Sequence, residues 1–519
     1  MPKSSSHARP LSRPDLFRKV NVLIVFAISL MFLLPLPASA SVSLLEMVRT
    51  ALDHSPGILL ERQNMRSSES SVLATRSPFD PQISLSSGYS HVDSTALVPE
   101  LKTVSSTLSS STLLPFGLII APSVSVKGST QPGLQTSNVA TAGVSFTLPL
   151  MQGLGNNSYR MALRASRKSY EAEGYMLQHT ATKSIYSAAG AYWNYVYAYR
   201  TLKLDHQLTH NAEESLRATK ALAGAGEVAV VRASQAEAYL QQLEATELSD
   251  AQALRQAWSD LFIAIGRPTK GREEPEEPID AFPIPEGDVA RLGELSKLRT
   301  KALSGRADLH ALKLQSDATN DLLTGSRNQM KPKIDLILFS GYNGEHKGST
   351  VNDYITSLTS QVPGPNVSAT LSYTFAAGNH SNESAFIRSS AVYETAVINR
   401  EALERTIVEG VGVAAESVKN TAAVWRLSMK SAETYRILNA VELKKFRGGI
   451  SDLFKVQNVS TDLANAEKQL LGAERAYASA LLTFRYQIAA LMHEHDGLYS
   501  VDEHDLVTIP VLENAKNTL

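Results

Sequence analysis

The chain is 519 residues long, 43% hydrophobic and 19% charged, the balance of an ordered chain rather than a low-complexity one. Its 50 Lys and Arg against 51 Asp and Glu leave a formal net charge of −1, which excludes a polybasic surface for nucleic acid. With no cysteine, disulfides, cysteine zinc sites, thiol nucleophiles and a lipid-bearing cysteine are all excluded.

At the N-terminus, Lys3, Arg9, Arg13, Arg18 and Lys19 precede an apolar run, Val20 to Leu36, which ends in Pro37-Ala38-Ser39-Ala40. That pattern predicts a secretory signal over 1–40, cleaved after Ala40. The competing reading is an uncleaved anchor, but 17 residues holding Pro35 are short for a span of ~20. Removal of 1–40 leaves 45 basic against 50 acidic side chains, a charge of −5. No later segment is long and apolar enough for a transmembrane helix, so a mature chain that meets a membrane must do so with strands.

The rest is written twice. PQISLSSGY (81–89) has a counterpart in PKIDLILFSGY (332–342), and VSFTLPLMQG (144–153) in ATLSYTFAAG (369–378). Pro81 and Pro332 mark helix-to-strand junctions; Pro149, Gly153 and Gly378 mark the strand-to-helix ones. A long glycine-poor stretch follows in each half and ends at Gly226 or Gly449. The predicted order is helix, strand, strand, long helix, turn, helix, twice over.

Period-two alternation supports strands over 82–90, 138–148 and 366–375. In the last, Val367, Ala369, Leu371, Tyr373 and Phe375 face one way and Asn366, Ser368, Thr370, Ser372 and Thr374 the other. Such segments suit tilted membrane strands of ~9–11 residues, although a soluble half-buried sheet alternates in the same way. Residues 82–148 are too long for two strands and a tight turn. LIIAPSVSV (118–126) alternates, and 104–114 is another candidate; two crossings plus an extra hairpin or long loop are expected rather than four.

From Gly155 to about Ala223 there is no proline, and a helix of that length reaches ~100 Å. Residues 378–447 are its partner. The return segment 450–492 places apolar residues at steps of three and four, with Ala464, Ala476, Ala478 and Ala480 forming a second close-packing face. A helix with two neighbours fits a ring of helices. The shorter segments, 41–77 with 227–265 and 290–330 with 450–492, stack end to end to match the long ones. The predicted divisions are therefore a signal at 1–40, repeats at 41–266 and 290–493, a linker at 267–289 and a tail at 494–519 without clear periodicity.

This arrangement resembles the TolC family of outer-membrane efflux proteins over essentially the whole mature chain. The residues that carry the likeness are Ser43-Leu44-Leu45, Ala51-Leu52 leading to Ser55-Pro56, Leu148-Pro149-Leu150 with Gly153, Ile265-Gly266-Arg267-Pro268, and Arg306-Ala307-Asp308-Leu309, which differs at one position from the family's Arg-Pro-Asp-Leu. The resemblance implies a mainly α fold with a membrane β-barrel portion. In it a homotrimer gives four strands per protomer to a 12-stranded barrel, continuous with a long periplasmic helical barrel. It implies passive conduction across outer-membrane lipid, with a periplasmic adaptor (membrane fusion protein) and an inner-membrane pump of RND or ABC type as partners. No cofactor, metal or enzymatic role follows from it.

The hairpin tips depart from the family, whose members commonly carry an aspartate six residues after the glycine. Here Arg232 and Lys455 stand at those places, and Asn458 where a second acid is familiar. Rings of such residues would select ions by sign if they line a bore; solvated or adaptor-contacting bases are the alternative. Asp452 is the acidic candidate at the same tip. GAGEVA (224–229) mimics a nucleotide loop but follows no strand, so it reads as a hairpin turn. His493, Glu494, His495 and Asp496 are dense enough to ligate a metal, yet stand at a helix end where polar residues are ordinary. The competing function is a periplasmic coiled-coil scaffold without transport activity. The nature of the cargo (drug, metal ion or polypeptide) is not legible.

Overall fold

The computed structural model describes residues 42–93, 100–269, 274–285, 294–362, 366–495 and 498–510. The predicted signal over 1–40, Glu273 of the linker and Asp496 lie outside them. Two repeats are evident. The first contains α1 (Leu44–His54), α2 (Pro56–Arg76), β1 (Gln82–Val92), β2 (Leu101–Leu113), β3 (Ile119–Thr130), β4 (Ser137–Pro149), α3 (Ser158–Gly224) and α4 (Val230–Ile265). The second contains α5 (Leu295–Gly305), α6 (Ala307–Gln329), β5 (Lys333–Lys347), a short α7 (Val351–Thr356), β6 (Asn366–Thr374), α8 (His380–Arg447) and α9 (Leu453–Gln487). A small hairpin, β7 (His493–His495) with β8 (Leu498–Ser500), and α10 (Glu503–Val507) close the described chain.

The two long helices are 67 and 68 residues, and their return helices 36 and 35. Each long helix meets its return helix in an antiparallel hairpin, and α9 also packs on α3, so near the tips the order across the wall is α8, α9, α3, α4. Further up, α6 takes the place of α9 and α2 that of α4. The alanines of the second face explain this. Ala464, Ala478 and Ala480 of α9 are buried, so the helix can approach two neighbours closely.

End-to-end stacking needs a tight joint. At the first joint Gly266 has φ +73, and a Cβ there would lie 2.4 Å from the His54 carbonyl oxygen. At the second, Arg306 forks onto Asp308 (Nε–Oδ1 3.0 Å, Nη2–Oδ2 2.6 Å) and reaches Gln487 at the end of α9 at 2.7 Å. The Arg-Ala-Asp-Leu segment thus joins α6 to α9. Burial opposes charge on Asp308, but the Arg306 hydrogen bonds and charge outweigh it and hold the carboxyl below the usual range.

The main aromatic core lies where the linker crosses α3. Trp193 and Tyr192 are fully buried, Phe282 stacks 5.4 Å from Trp193, and Leu261 and Ile265 complete the cluster. Asp280 accepts hydrogen bonds from the Tyr192 hydroxyl and the Leu44 N–H, both at 2.6 Å, which ties the linker to the start of α1.

The sheet corrects the sequence expectation. Six strands pair antiparallel in the order β1-β2-β3-β4-β5-β6, so the first repeat supplies four strands of one sheet rather than two crossings plus an extra hairpin or long loop. Equivalent elements in the two repeats are 251 residues apart up to the first strand (Leu44 and Leu295, Pro56 and Ala307, Gln82 and Lys333). After the sheet they are 222 or 223 apart (Ser158 and His380, Val230 and Leu453). The offset falls by about the length of β2 plus β3, which marks that hairpin as an insertion into the first repeat only. With six strands in each chain, twelve for a trimer no longer follows.

Candidate functional site: sheet faces and hairpin tips

Cross-strand partners in an antiparallel pair share a face, so the register defines the two surfaces of the sheet. One row runs Leu85, Leu108, Val124, Ala142, Tyr342. A second on that face runs Ile120, Phe146, Leu338, Ala369. The opposite face carries Ser86, Thr107, Ser125, Thr141 and Asn343 in one row, and Ser84, Ser109, Ser123, Gly143, Gly341 and Asn366 in the next. One face is mainly apolar and the other is rich in serine and threonine on every strand but β5, which places Asp335, Ile337, Phe339, Gly341 and Asn343 there. Hydroxyls on the polar face hydrogen-bond each other, as Ser84 does with Ser109 at 2.8 Å. Pro122, which has no N–H, sits where the β2–β3 ladder skips.

Both edges of the sheet are open among the described residues. β1 is exposed along its whole length and β6 nearly so. Ile83 and Leu85 are 75% and 74% exposed, and Leu371 66%. Exposed apolar side chains of this size need a covering medium. No described helix is long and apolar enough to cross a membrane.

The strand-to-helix junctions are built by main-chain bonds. Pro81 and Pro332 directly precede β1 and β5, and Pro149 ends β4. The Leu150 N–H donates to the Ile334 carbonyl at 2.7 Å and Gln152 N–H to that of Pro332 at 3.2 Å. Gly153 (φ +95) donates its N–H to Asn328 Oδ1 at 2.8 Å. In the second repeat Gly378 lies between β6 and α8, but Asn379 is the left-handed residue there, at φ 42.

At the tips, Gly226 and Gly449 adopt φ 77 and 74 and turn each hairpin. Asp452 is the N-cap of α9, its Oδ1 accepting the Lys455 N–H at 2.9 Å. Its carboxylate therefore serves the helix end first. Lys455 and Asn458 are exposed and line a shallow depression with Glu442, Lys445 and Ser451. Ser451 donates to Glu442, which also pairs with Lys445 at 3.3 Å. The serine hydrogen bond first, and then the lysines, hold the Glu442 carboxyl below its usual range. Arg232, on α4, is exposed and has no ion pair among the described residues.

Two further constellations carry charge. Lys468 of α9 contacts Asp205 of α3 and Asp250 of α4. Arg485, 1% exposed, bonds to Asp505, Thr508, Ala490 and His504 and so clamps the tail onto α9. Among the described residues the one cluster with metal-ligand composition is His493, Asp502 and Asp505. Asp505 there is already engaged by Arg485 at 2.8 Å and His493 at 2.7 Å.

A sheet with one apolar and one polar face, mounted on paired helical hairpins of this length, defines a membrane-strand protein with a long helical extension. Residues 47–267 match the family described as outer membrane efflux protein. No curated protein sequence matches it. The fold is similar to the CmeC outer membrane channel of Campylobacter jejuni at 15% identity, covering 86% of this chain and 85% of that one with a TM-score of 0.65. It is also similar to the outer membrane protein VceC of Vibrio cholerae (15% identity, 86% and 96% covered, TM-score 0.63). The MtrE outer membrane channel of Neisseria gonorrhoeae is a third (15%, 86% and 88%, TM-score 0.59).

Proposed function

We propose that the chain is the outer-membrane exit duct of a tripartite efflux pump or type I secretion system. On this reading it conducts substrate passively from a periplasmic adaptor and inner-membrane pump to the exterior. The observation that carries this is the two-faced sheet with both edges unpaired. Unpaired backbone groups are costly in lipid, so a sheet of this kind must close with other copies. The outermost helices of the wall support the same association. Val413 and Leu427 on α8, and Leu248 and Ile263 on α4, are 70% or more exposed in the single chain. We take the assembly to be a homotrimer, with the polar face lining the lumen and the hairpin tips at the periplasmic entrance.

The test is purification from outer membranes followed by reconstitution in planar bilayers. A detergent-resistant band that shifts on boiling, together with discrete conductance steps, supports the reading. A water-soluble monomer without conductance overturns it and favours the scaffold.

A further inference from the structure

Resting on the trimeric channel reading, we propose that this channel has an 18-stranded barrel, formed by pairing β1 of each copy with β6 of the next. The inserted β2–β3 hairpin is the source of the extra strands. Three observations place it in the barrel wall rather than outside the membrane. The strands are 13 and 12 residues long, enough to cross the hydrocarbon layer when tilted. Both are continuous in register with their neighbours, so removing them would leave β1 and β4 without the partners they now have. At mid-strand their side chains also keep the face assignment of the other four strands, although Ser106 and Ser110 stand on the apolar side of β2. Leu108 and Val124 extend the apolar row from Leu85 to Ala142, and Thr107 and Ser125 extend the polar row from Ser86 to Thr141. A hairpin that served as an extracellular loop would have no reason to match both rows.

The edges fit this closure. β1 runs from the junction at Pro81 and β6 returns to the junction before α8, so β1 of one copy meets β6 of the next antiparallel. Four strands precede the first long helix, an even number, so both long helices leave the same end of the sheet.

The dimensions agree as well. Strands ~4.8 Å apart and tilted ~40° give a barrel about 36 Å across for eighteen strands and about 24 Å for twelve. Twelve helices, four from each copy, packed ~9–10 Å apart make a ring about 36 Å across. The wider barrel also gives a broad lumen whose wall carries serine and threonine hydroxyls on five of the six strands of each copy.

The absence of native cysteine makes the test direct. Leu108→Cys, Val124→Cys, Ser109→Cys and Ser125→Cys are introduced singly into the full chain and assayed in outer membranes. We expect a water-soluble maleimide to label the two serine positions, and only a lipid-soluble maleimide to label the Leu108 and Val124 positions. Water-soluble labelling at all four would put the hairpin outside the bilayer and overturn the proposal. Electron cryomicroscopy of the purified protein in nanodiscs gives the strand count. Eighteen strands around a threefold axis is the expected result. A trimer with twelve overturns this inference and leaves the channel reading standing, whereas a monomer overturns both.

Discussion

Lys468 Nζ lies 2.6 Å from Asp205 Oδ1 and 3.1 Å from Asp250 Oδ2, so one ammonium on α9 joins both helices of the first hairpin to the second. Asp205 is almost fully buried, and its carboxyl is pushed up to about 6 by that burial and by Asp250, against the pull of Lys468. An acid whose folded pKa is raised contributes stability in full below its unfolded value of about 3.9 and loses it as pH rises through about 6. Two acids facing one base are therefore a strained arrangement at neutral pH.

Asp205→Asn is expected to raise the melting temperature at pH 7.5 and to change it little at pH 4.5, where the native carboxyl is already protonated. Equal shifts at both pH values would show that Asp205 is not under this charge strain. Lys468→Met should destabilise by about 2–3 kcal/mol at neutral pH, because it leaves the buried Asp205 and the half-buried Asp250 without a counter-charge. Chemical denaturation of the detergent-solubilised protein measures both.

The joints between stacked helices allow a second comparison. Gly266 and Ala489 occupy equivalent places after α4 and α9, and both are left-handed, at φ 73 and 54. A left-handed alanine costs roughly 1–2 kcal/mol, so Ala489→Gly should stabilise by about 1 kcal/mol. Gly266→Ala should destabilise by more than that, since its Cβ would also strike the His54 carbonyl oxygen. Thermal melts of the two variants should move in opposite directions; parallel shifts would contradict the strain assignment.

Arg485→Met should release the tail. The guanidinium is buried and makes bonds to Asp505, to both the carbonyl and hydroxyl of Thr508, and to the carbonyls of Ala490 and His504. Removing one partner of a buried pair typically costs about 3–5 kcal/mol. Limited proteolysis is expected to clip the variant within residues 498–510 while the helical hairpins stay intact. Unchanged resistance would mean that the apolar contacts of Val501 and Leu506 hold the segment without the arginine.

Much of this fold was legible because its signals are local. Long proline-free stretches gave α3 and α8, the glycines that end them, Gly226 and Gly449, gave the tips, and strict alternation gave β1, β4 and β6. β3 was recognised as alternating and β2 only as a candidate strand, and neither as a member of the same sheet. In β2 the apolar-face positions Ser106 and Ser110 are occupied by serine, so composition blurred the period; the drop in repeat offset from 251 to 222 was the clearer signal. Lys468 with Asp205 and Arg485 with Asp505 were out of reach. Partners 263 and 20 residues apart leave no local pattern, and on a helix surface a lysine or arginine reads as solvated until its neighbours are known.

The tip charges give the last prediction. Glu442 sits beside Lys445 and Lys455 and offsets part of their charge, whereas Arg232 is exposed and has no acid partner among the described residues. If the tips line the entrance, threefold symmetry makes Arg232 the less compensated of the two basic rings. Reversal potentials in a KCl gradient should then show weak cation preference or anion preference for the native channel. Arg232→Asp should move selectivity toward cations by more than Lys455→Asp does, because the latter would set a new acid against Glu442 and disturb the tip as well as the field. Strong cation selectivity in the native protein, or no response to Arg232→Asp, would place these side chains outside the conducting path.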